Sequence, residues 1–208
     1  MAKAFGETVA PTDAIRSILG SYPFSIGLLR EIISNSDDAR ASHQIFVLDR
    51  RTHSNTAVYH THLADKQGPA LLAYNDEIIH DEDWTALRKI HDSSKKTDTS
   101  KIGKYGVGFR ASYHVTDTPN ILSGPNLVIL DPQHDFTESG GIQLNIEKEW
   151  ETYRDHLTTF ESLFPSTDWG KAFQGTIFRL PLRTTESRIS NEIVTPETIS
   201  NLLNDFVR

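Results

Sequence analysis

The 208-residue sequence has no cysteine and one methionine. Disulfides and thiolate metal sites are therefore excluded, and the absence of disulfides fits a reducing compartment. No run of residues has the length and apolarity of a membrane span. The first residues, Met1 to Glu7, lack the apolar stretch of a signal peptide. A basic excess is also missing: 21 Lys and Arg stand against 28 Asp and Glu, a net charge of −7. That balance offers no basic stripe for nucleic acid. These absences predict a soluble intracellular protein, cytoplasmic with the nucleus left open, with neither a membrane nor a nucleic-acid partner. Nothing reads as an internal repeat or a long linker. The length fits one domain over residues 1–208. The chain ends inside an apparently helical pattern at Asp205-Phe-Val-Arg208, which predicts a longer natural protein.

The most informative stretch is Leu29-Arg-Glu-Ile-Ile-Ser-Asn-Ser-Asp-Asp-Ala39. It places Glu31, Asn35 and Asp38 at i, i+4 and i+7, within an arc of roughly 60° on a helix of 3.6 residues per turn. Leu28, Leu29, Ile32, Ile33 and Ala39 turn to the neighbouring side. The plain reading of such a row is a solvated face. The chemical reading is sharper. An amide oxygen suits a hard cation such as Mg²⁺, and a carboxylate one turn away can orient or deprotonate a water.

Elsewhere the pattern predicts short helices and strands. Thr12 to Leu19 reads as a helix capped by Thr12 or Asp13, and about Phe24 to Ala41 as a longer one carrying the row. Gln44 to Asp49, Ala57 to Leu63, Ala70 to Tyr74, Leu127 to Leu130, Ile142 to Ile146 and Thr176 to Leu180 read as strands. Asp81 to Ile90 and Glu149 to Leu163 read as helices, and Pro196 opens a last one. Strands and helices do not strictly alternate. That favours an α+β layered sandwich with a mixed sheet over a doubly wound parallel one.

The polar run His91 to Lys101 leads into Ile102-Gly-Lys-Tyr-Gly-Val-Gly-Phe109, spaced G-x-x-G-x-G. Glycines let backbone approach a ligand closely, and a following helix aims free N–H groups at it, which favours phosphate. Lys101 and Lys104 could add charge. No strand immediately precedes the glycines and no Gly-Lys-Ser or Gly-Lys-Thr ends them, so neither a Rossmann site nor a P-loop fits. Residues 91–105 are the candidate lid, with Ser93, Ser94, Lys95 and Lys96 meeting phosphates only when it closes. His60-Thr-His62 puts two imidazoles on one strand face, but no third metal ligand is evident. Trp84, Trp150 and Trp169 read as core or edge packing.

Leu29 to Ala39 resembles the N-box of the GHKL ATPases, the family of gyrase, the ninety-kilodalton heat-shock chaperones, histidine kinases and MutL. Ile102 to Phe109 resembles the second glycine box of the chaperone branch, and Gly175-Thr176 the Gly-Thr pair that closes the family's site. The resemblance is closer still to the ATPase-like domain that opens the sacsin repeats. It is carried by Pro11 to Ala39, Gly68 to Asp76, Asp92 to Lys95, Lys101 to Phe109, Tyr113 to Asp117 and Asp131-Pro132. It implies a two-layer α/β sandwich, the Bergerat fold, whose mixed, mostly antiparallel sheet carries helices on one face. ATP or ADP with Mg²⁺ would lie between helices and lid.

Carried onto this sequence, the resemblance implies Glu31 as the general base for the attacking water and Asn35 as the Mg²⁺ ligand. Asp38 would line the pocket. Gly103, Gly106 and Gly108 would wrap the phosphates, with Val107 and Phe109 beside them, and Thr176 would hydrogen-bond near the adenine. One place departs from the family. The first glycine box, Asp-x-Gly-x-Gly, is replaced by Tyr74-Asn-Asp-Glu-Ile-Ile79. Asp76 is the candidate adenine acceptor, and strict alignment offers Asn75 instead. The expected function is an ATP-binding, weakly hydrolysing nucleotide switch of a chaperone-like, sacsin-type protein, with client or co-chaperone proteins engaged through the rest of the full-length chain. The alternative is a non-catalytic nucleotide-sensing or interaction module. Histidine-kinase activity fits less well, because no phosphoacceptor hairpin precedes the N-box in this sequence.

Overall fold

A computed structural model describes residues 9–91 and 107–207. The elements run α1 (Pro11–Ser21), α2 (Gly27–Asp38), β1 (Gln44–Asp49), a 3-10 turn (Thr61–Lys66), β2 (Ala70–Asn75), α3 (Asp81–His91) and α4 (Val107–Arg110), which continues as a 3-10 turn (Ala111–His114). Then come β3 (Asn120–Gly124), β4 (Asn126–Leu130), β5 (Gly141–Asn145), α5 (Ile146–Glu149), α6 (Arg154–Thr158), β6 (Phe173–Pro181) and α7 (Pro196–Val207). The strands form one sheet in the order β1-β2-β6-β3-β4-β5. Every ladder among the described residues is antiparallel.

The two-residue period of a strand divides the core between the two sheet faces. Leu71, Ala73, Ile121, Leu130, Phe178 and Leu180 meet Leu28, Leu29 and Ile32 of α2, Trp84 and Leu87 of α3, and Ile199 and Leu202 of α7. Their neighbours Leu72, Leu122, Leu127, Ile129 and Ile177 meet Leu63, Ile146, Leu157, Phe160 and Trp169 on the other side. The expected α+β two-layer arrangement is present, with α2, α3 and α7 on one face. The opposite face is also covered, by short helices and turns. β2 is buried on both faces, which explains its unbroken apolar run. Each large side chain so buried contributes roughly 1.5–3 kcal/mol.

Several expected elements change. Ala57 to Leu63 is not a strand. Two of its backbone N–H groups go to side chains of α6: Ala57 donates to Asp155 Oδ2 at 2.7 Å and Tyr59 to His156 Nε2 at 3.0 Å. No sheet partner is needed once these are met. His60 and His62 therefore do not share a strand face. His60 Nδ1 instead accepts from the His62 backbone as the cap of the 3-10 turn, and the described residues hold no group of three or more metal-ligating side chains. α1 starts at Pro11, so Thr12 and Asp13 lie in its first turn and neither caps it. α2 is shorter at both ends than expected. The stretch from Glu149 to Leu163 is broken into the end of α5, the short α6 and turns, and β3 is a strand that the pattern missed.

Candidate functional site

The row on α2 forms as expected. Leu28, Leu29 and Ile32 bury one side of the helix, while Glu31 and Asp38 stand exposed and Asn35 is half-buried. Among the described residues, no hydrogen bond or ion pair uses the side chains of these three. Asn35 lines a small cavity with Leu28, Ile32, Phe109, Ser112, Phe178 and Leu180. Phe109 packs its ring against Phe178 with centroids 5.8 Å apart, which seats α4 beside α2. Val107 and Gly108 open α4, so the glycine-rich segment does lead into a helix. Lys101, Gly103, Lys104 and Gly106, and the lid segment from residue 92 onward, lie outside the described residues.

The second half of the site lies where β2 and β6 pair, with Asn75 opposite Thr176. Gly175 has φ +136°, and a Cβ there would come within 2.7 Å of the Asn75 carbonyl oxygen and 2.8 Å of the Tyr74 ring. Only glycine lets the two strands close at that point. This gives the Gly175-Thr176 pair a steric basis independent of any ligand.

The polar groups at this seam form a connected set. Thr176 Oγ1 donates to the Glu77 carbonyl at 2.7 Å and lies 2.9 Å from Ser123 Oγ. Ser123 Oγ accepts from the Ile79 N–H at 2.8 Å. Asn75 Oδ1 accepts from the Glu77 N–H at 3.1 Å, and Asn75 Nδ2 donates to Ser36 Oγ at 3.1 Å. The Ser36 hydroxyl lies 3.1 Å from the Ile32 carbonyl and 2.5 Å from Gln44 Oε1. Residues 75–79, which replace the glycine box, are thereby fastened to β3 and β6. Ile79 is in the core and Ile78 is exposed.

The structure separates the two adenine candidates. Asn75 belongs to the buried seam. Asp76 is drawn to the connection between α2 and β1, where Oδ1 accepts from the Ser42 and His43 backbone at 2.8 and 2.9 Å and Oδ2 lies 3.2 Å from His43 Nδ1. The His43 backbone bond, helped by the His43 side chain and the Ser42 N–H, holds its carboxyl below the usual carboxylate range. Ser36, Ser123 and Ser112 are seam or cavity residues that sequence reasoning missed. For Ser36 a signal existed, since it follows Asn35 on the helix of the row. Ser123 had none, because its strand was not recognised.

A buried ion pair anchors the site from below. Arg183 is fully buried and donates to Asp117 Oδ1 at 2.7 Å. It also donates to the carbonyls of Tyr113, His114 and Thr116, at 2.5, 3.2 and 3.3 Å. The 3-10 turn that continues α4 is so tied to the segment leaving β6. A separate recess of about 380 Å³ opens between α3 and strands β3 to β5, lined by Trp84, Leu87, Ile121, Val128, Leu130 and Ile142 among others. No residue of the row or the seam lines it.

Fit to a divalent cation can be judged from the donors. Asn35 supplies one uncommitted amide oxygen, and Ser112 Oγ in the same cavity is buried without a hydrogen-bond partner among the described residues. A hard cation needs six or more oxygens, so these residues suit Mg²⁺ only when a polyphosphate and waters supply the rest.

A two-layer α+β domain with a polar helix row standing over a strand seam is thus the class the geometry defines. The model of the Sacsin domain family matches residues 9–208. Human (Homo sapiens) sacsin is 34% identical over 97% of the chain, a stretch that makes up 5% of that protein. The chain belongs to the sacsin domain family. No helix among the described residues is long and apolar enough to cross a membrane.

Proposed function

We propose that the domain binds Mg²⁺–ATP against α2 and turns it over slowly, as the nucleotide switch of a larger sacsin-type protein. The carrying observation is the α2 row: Glu31, Asn35 and Asp38 share one side of the helix, no described bond uses their side chains, and Asn35 lines a cavity beside the start of α4. The resemblance to the GHKL ATPases supports the same assignment.

In this reading Asn35 holds the metal–phosphate unit through its amide oxygen, and Glu31 one turn earlier orients and deprotonates the attacking water. Bound Mg²⁺ would neutralise charge on the phosphate oxygens. Asp38 lines the rim. Gly108, in the first turn of α4, would bring its backbone N–H to the phosphates. Client or co-chaperone proteins would meet the remainder of the full-length chain.

Calorimetry with ATP, ADP and a non-hydrolysable analogue, with and without EDTA, tests binding, and phosphate release tests turnover. Saturable Mg²⁺-dependent binding with slow release is the expected outcome. Heats that are the same with and without Mg²⁺, or no binding of any nucleotide, would defeat the proposal. Binding without turnover would instead identify a nucleotide-sensing module.

A further inference from the structure

We infer that this site selects its ligand by the metal-bound polyphosphate and not by the base, so that purine and pyrimidine triphosphates bind alike. The inference rests on the nucleotide reading above and deepens it.

Adenine is read by an acceptor for its amino group and a donor for its ring nitrogens. The seam residues that would supply these are Asn75 and Thr176. Both are buried, at 3% and 1% exposure, as is Ser123 at 1%. Their proton positions follow from their partners. The Glu77 carbonyl can only accept, so the Thr176 hydroxyl proton goes to it. Thr176 must then accept from Ser123, whose own oxygen accepts from the Ile79 N–H. Neither hydroxyl proton is left for a base.

Asn75 is held in the same seam. The Glu77 N–H can only donate, so it fixes the side-chain oxygen, one of the two amide N–H groups serves Ser36, and burial at 3% exposure keeps the rest of the amide from an entering ligand. Asp76, the other carboxylate nearby, is taken up by Ser42 and His43. A base entering here would have to break internal hydrogen bonds to form its own, and the exchange returns little. Strong discrimination between ligands arises where a site holds polar groups that only the right ligand satisfies. Here each of these groups already has a partner within the protein. Among the described residues, no hydrogen bond or ion pair uses the side chains of Glu31, Asn35 and Asp38, which suit a metal–phosphate unit.

The test titrates the full chain with Mg²⁺ complexes of ATP, GTP, CTP and inorganic tripolyphosphate, and uses adenosine as a competitor. The three nucleotides are expected to bind within about threefold of one another, since no unsatisfied polar group discriminates between them. Tripolyphosphate is expected to compete and adenosine to fail. A preference for ATP above about tenfold, or displacement by adenosine, overturns the inference and leaves the nucleotide reading standing. Absence of binding by all four polyphosphates overturns both.

Discussion

The α2 row and the Asn75–Thr176 seam belong to one expected site, yet they are built in opposite ways. On α2, Glu31 and Asp38 are exposed and no described bond uses them or Asn35. At the seam, Asn75, Thr176 and Ser123 are buried and bonded to their own backbone and to one another. Buried polar groups are paired within the fold, whereas exposed ones are met by solvent. The seam serves to fasten residues 75–79, and Glu31 and Asp38 of the row stay open to solvent.

The largest effect is expected from Glu31→Ala, which should lower turnover by about 10²- to 10⁴-fold while nucleotide binding persists. An unchanged phosphate-release rate in contaminant-free protein would remove the base assignment. The folded protein should melt as before, because substitution of an exposed residue shifts stability by no more than about 0.5 kcal/mol.

Acid should act on the fold from the opposite sheet face. Burial lowers the His156 pKa to about 4, with Arg179 adding to the shift and Asp155 opposing it. The unfolded chain protonates this ring near the usual histidine value of about 6.5. Stability from this group is therefore full above about pH 6.5 and lost as pH falls toward 4, by on the order of 3 kcal/mol. Burial lowers His53 and His114 in the same direction. Urea melts across pH 4 to 8 should show this slope, and His156→Gln should flatten part of it. A slope that His156→Gln leaves intact would assign the dependence elsewhere. Loss of ligand binding below pH 6 should be compared with these melts before it is assigned to the site.

Thr176→Val removes the hydroxyl that serves Glu77 and Ser123. Leaving those groups buried and unpaired should cost about 1–3 kcal/mol in urea unfolding. Asp38→Ala is the matched substitution on the row, and its stability should stay within about 0.5 kcal/mol of the parent. Equal losses from the two variants would erase the contrast between the regions. On binding the expected effect is milder: Asn35→Ala should weaken Mg²⁺-dependent binding by about tenfold, or about 1.4 kcal/mol. Calorimetry at fixed Mg²⁺ reads it, and an unaltered affinity would take Asn35 out of the metal's coordination.

The row is legible in the sequence because helical spacing alone brings Glu31, Asn35 and Asp38 together. β1 is legible to the residue, and α3 and α7 to within a residue or two at the ends assigned. Local reading fails where partners are distant. Ala57 to Leu63 alternates like a strand, but the N–H groups of Ala57 and Tyr59 are met by Asp155 and His156, about a hundred residues away in sequence. β3, with Asn120, Ser123 and Gly124 among its five residues, shows no strand-like apolar run. Its burial comes from β4 and β6 on either side. Arg179 and Arg183 look like surface charges in the sequence, and both are fully buried. Arg179 donates to the Lys66 and Gly68 carbonyls at 2.9 Å, and Arg183 pairs with Asp117.

By itself, then, the sequence determined the helix row and the strand-and-helix texture. These follow from periodicity and backbone freedom, which are local properties. Only the tertiary structure decided which polar groups remain available. Asn75, Asp76 and Thr176 are equally polar as residue types. In the fold, Asn75 meets Ser36 and Glu77, Asp76 meets Ser42 and His43, and Thr176 meets Ser123 and Glu77. Partners are chosen by proximity in space: Ser36, Ser42, His43 and Ser123 reach these side chains across 33 to 53 residues of sequence.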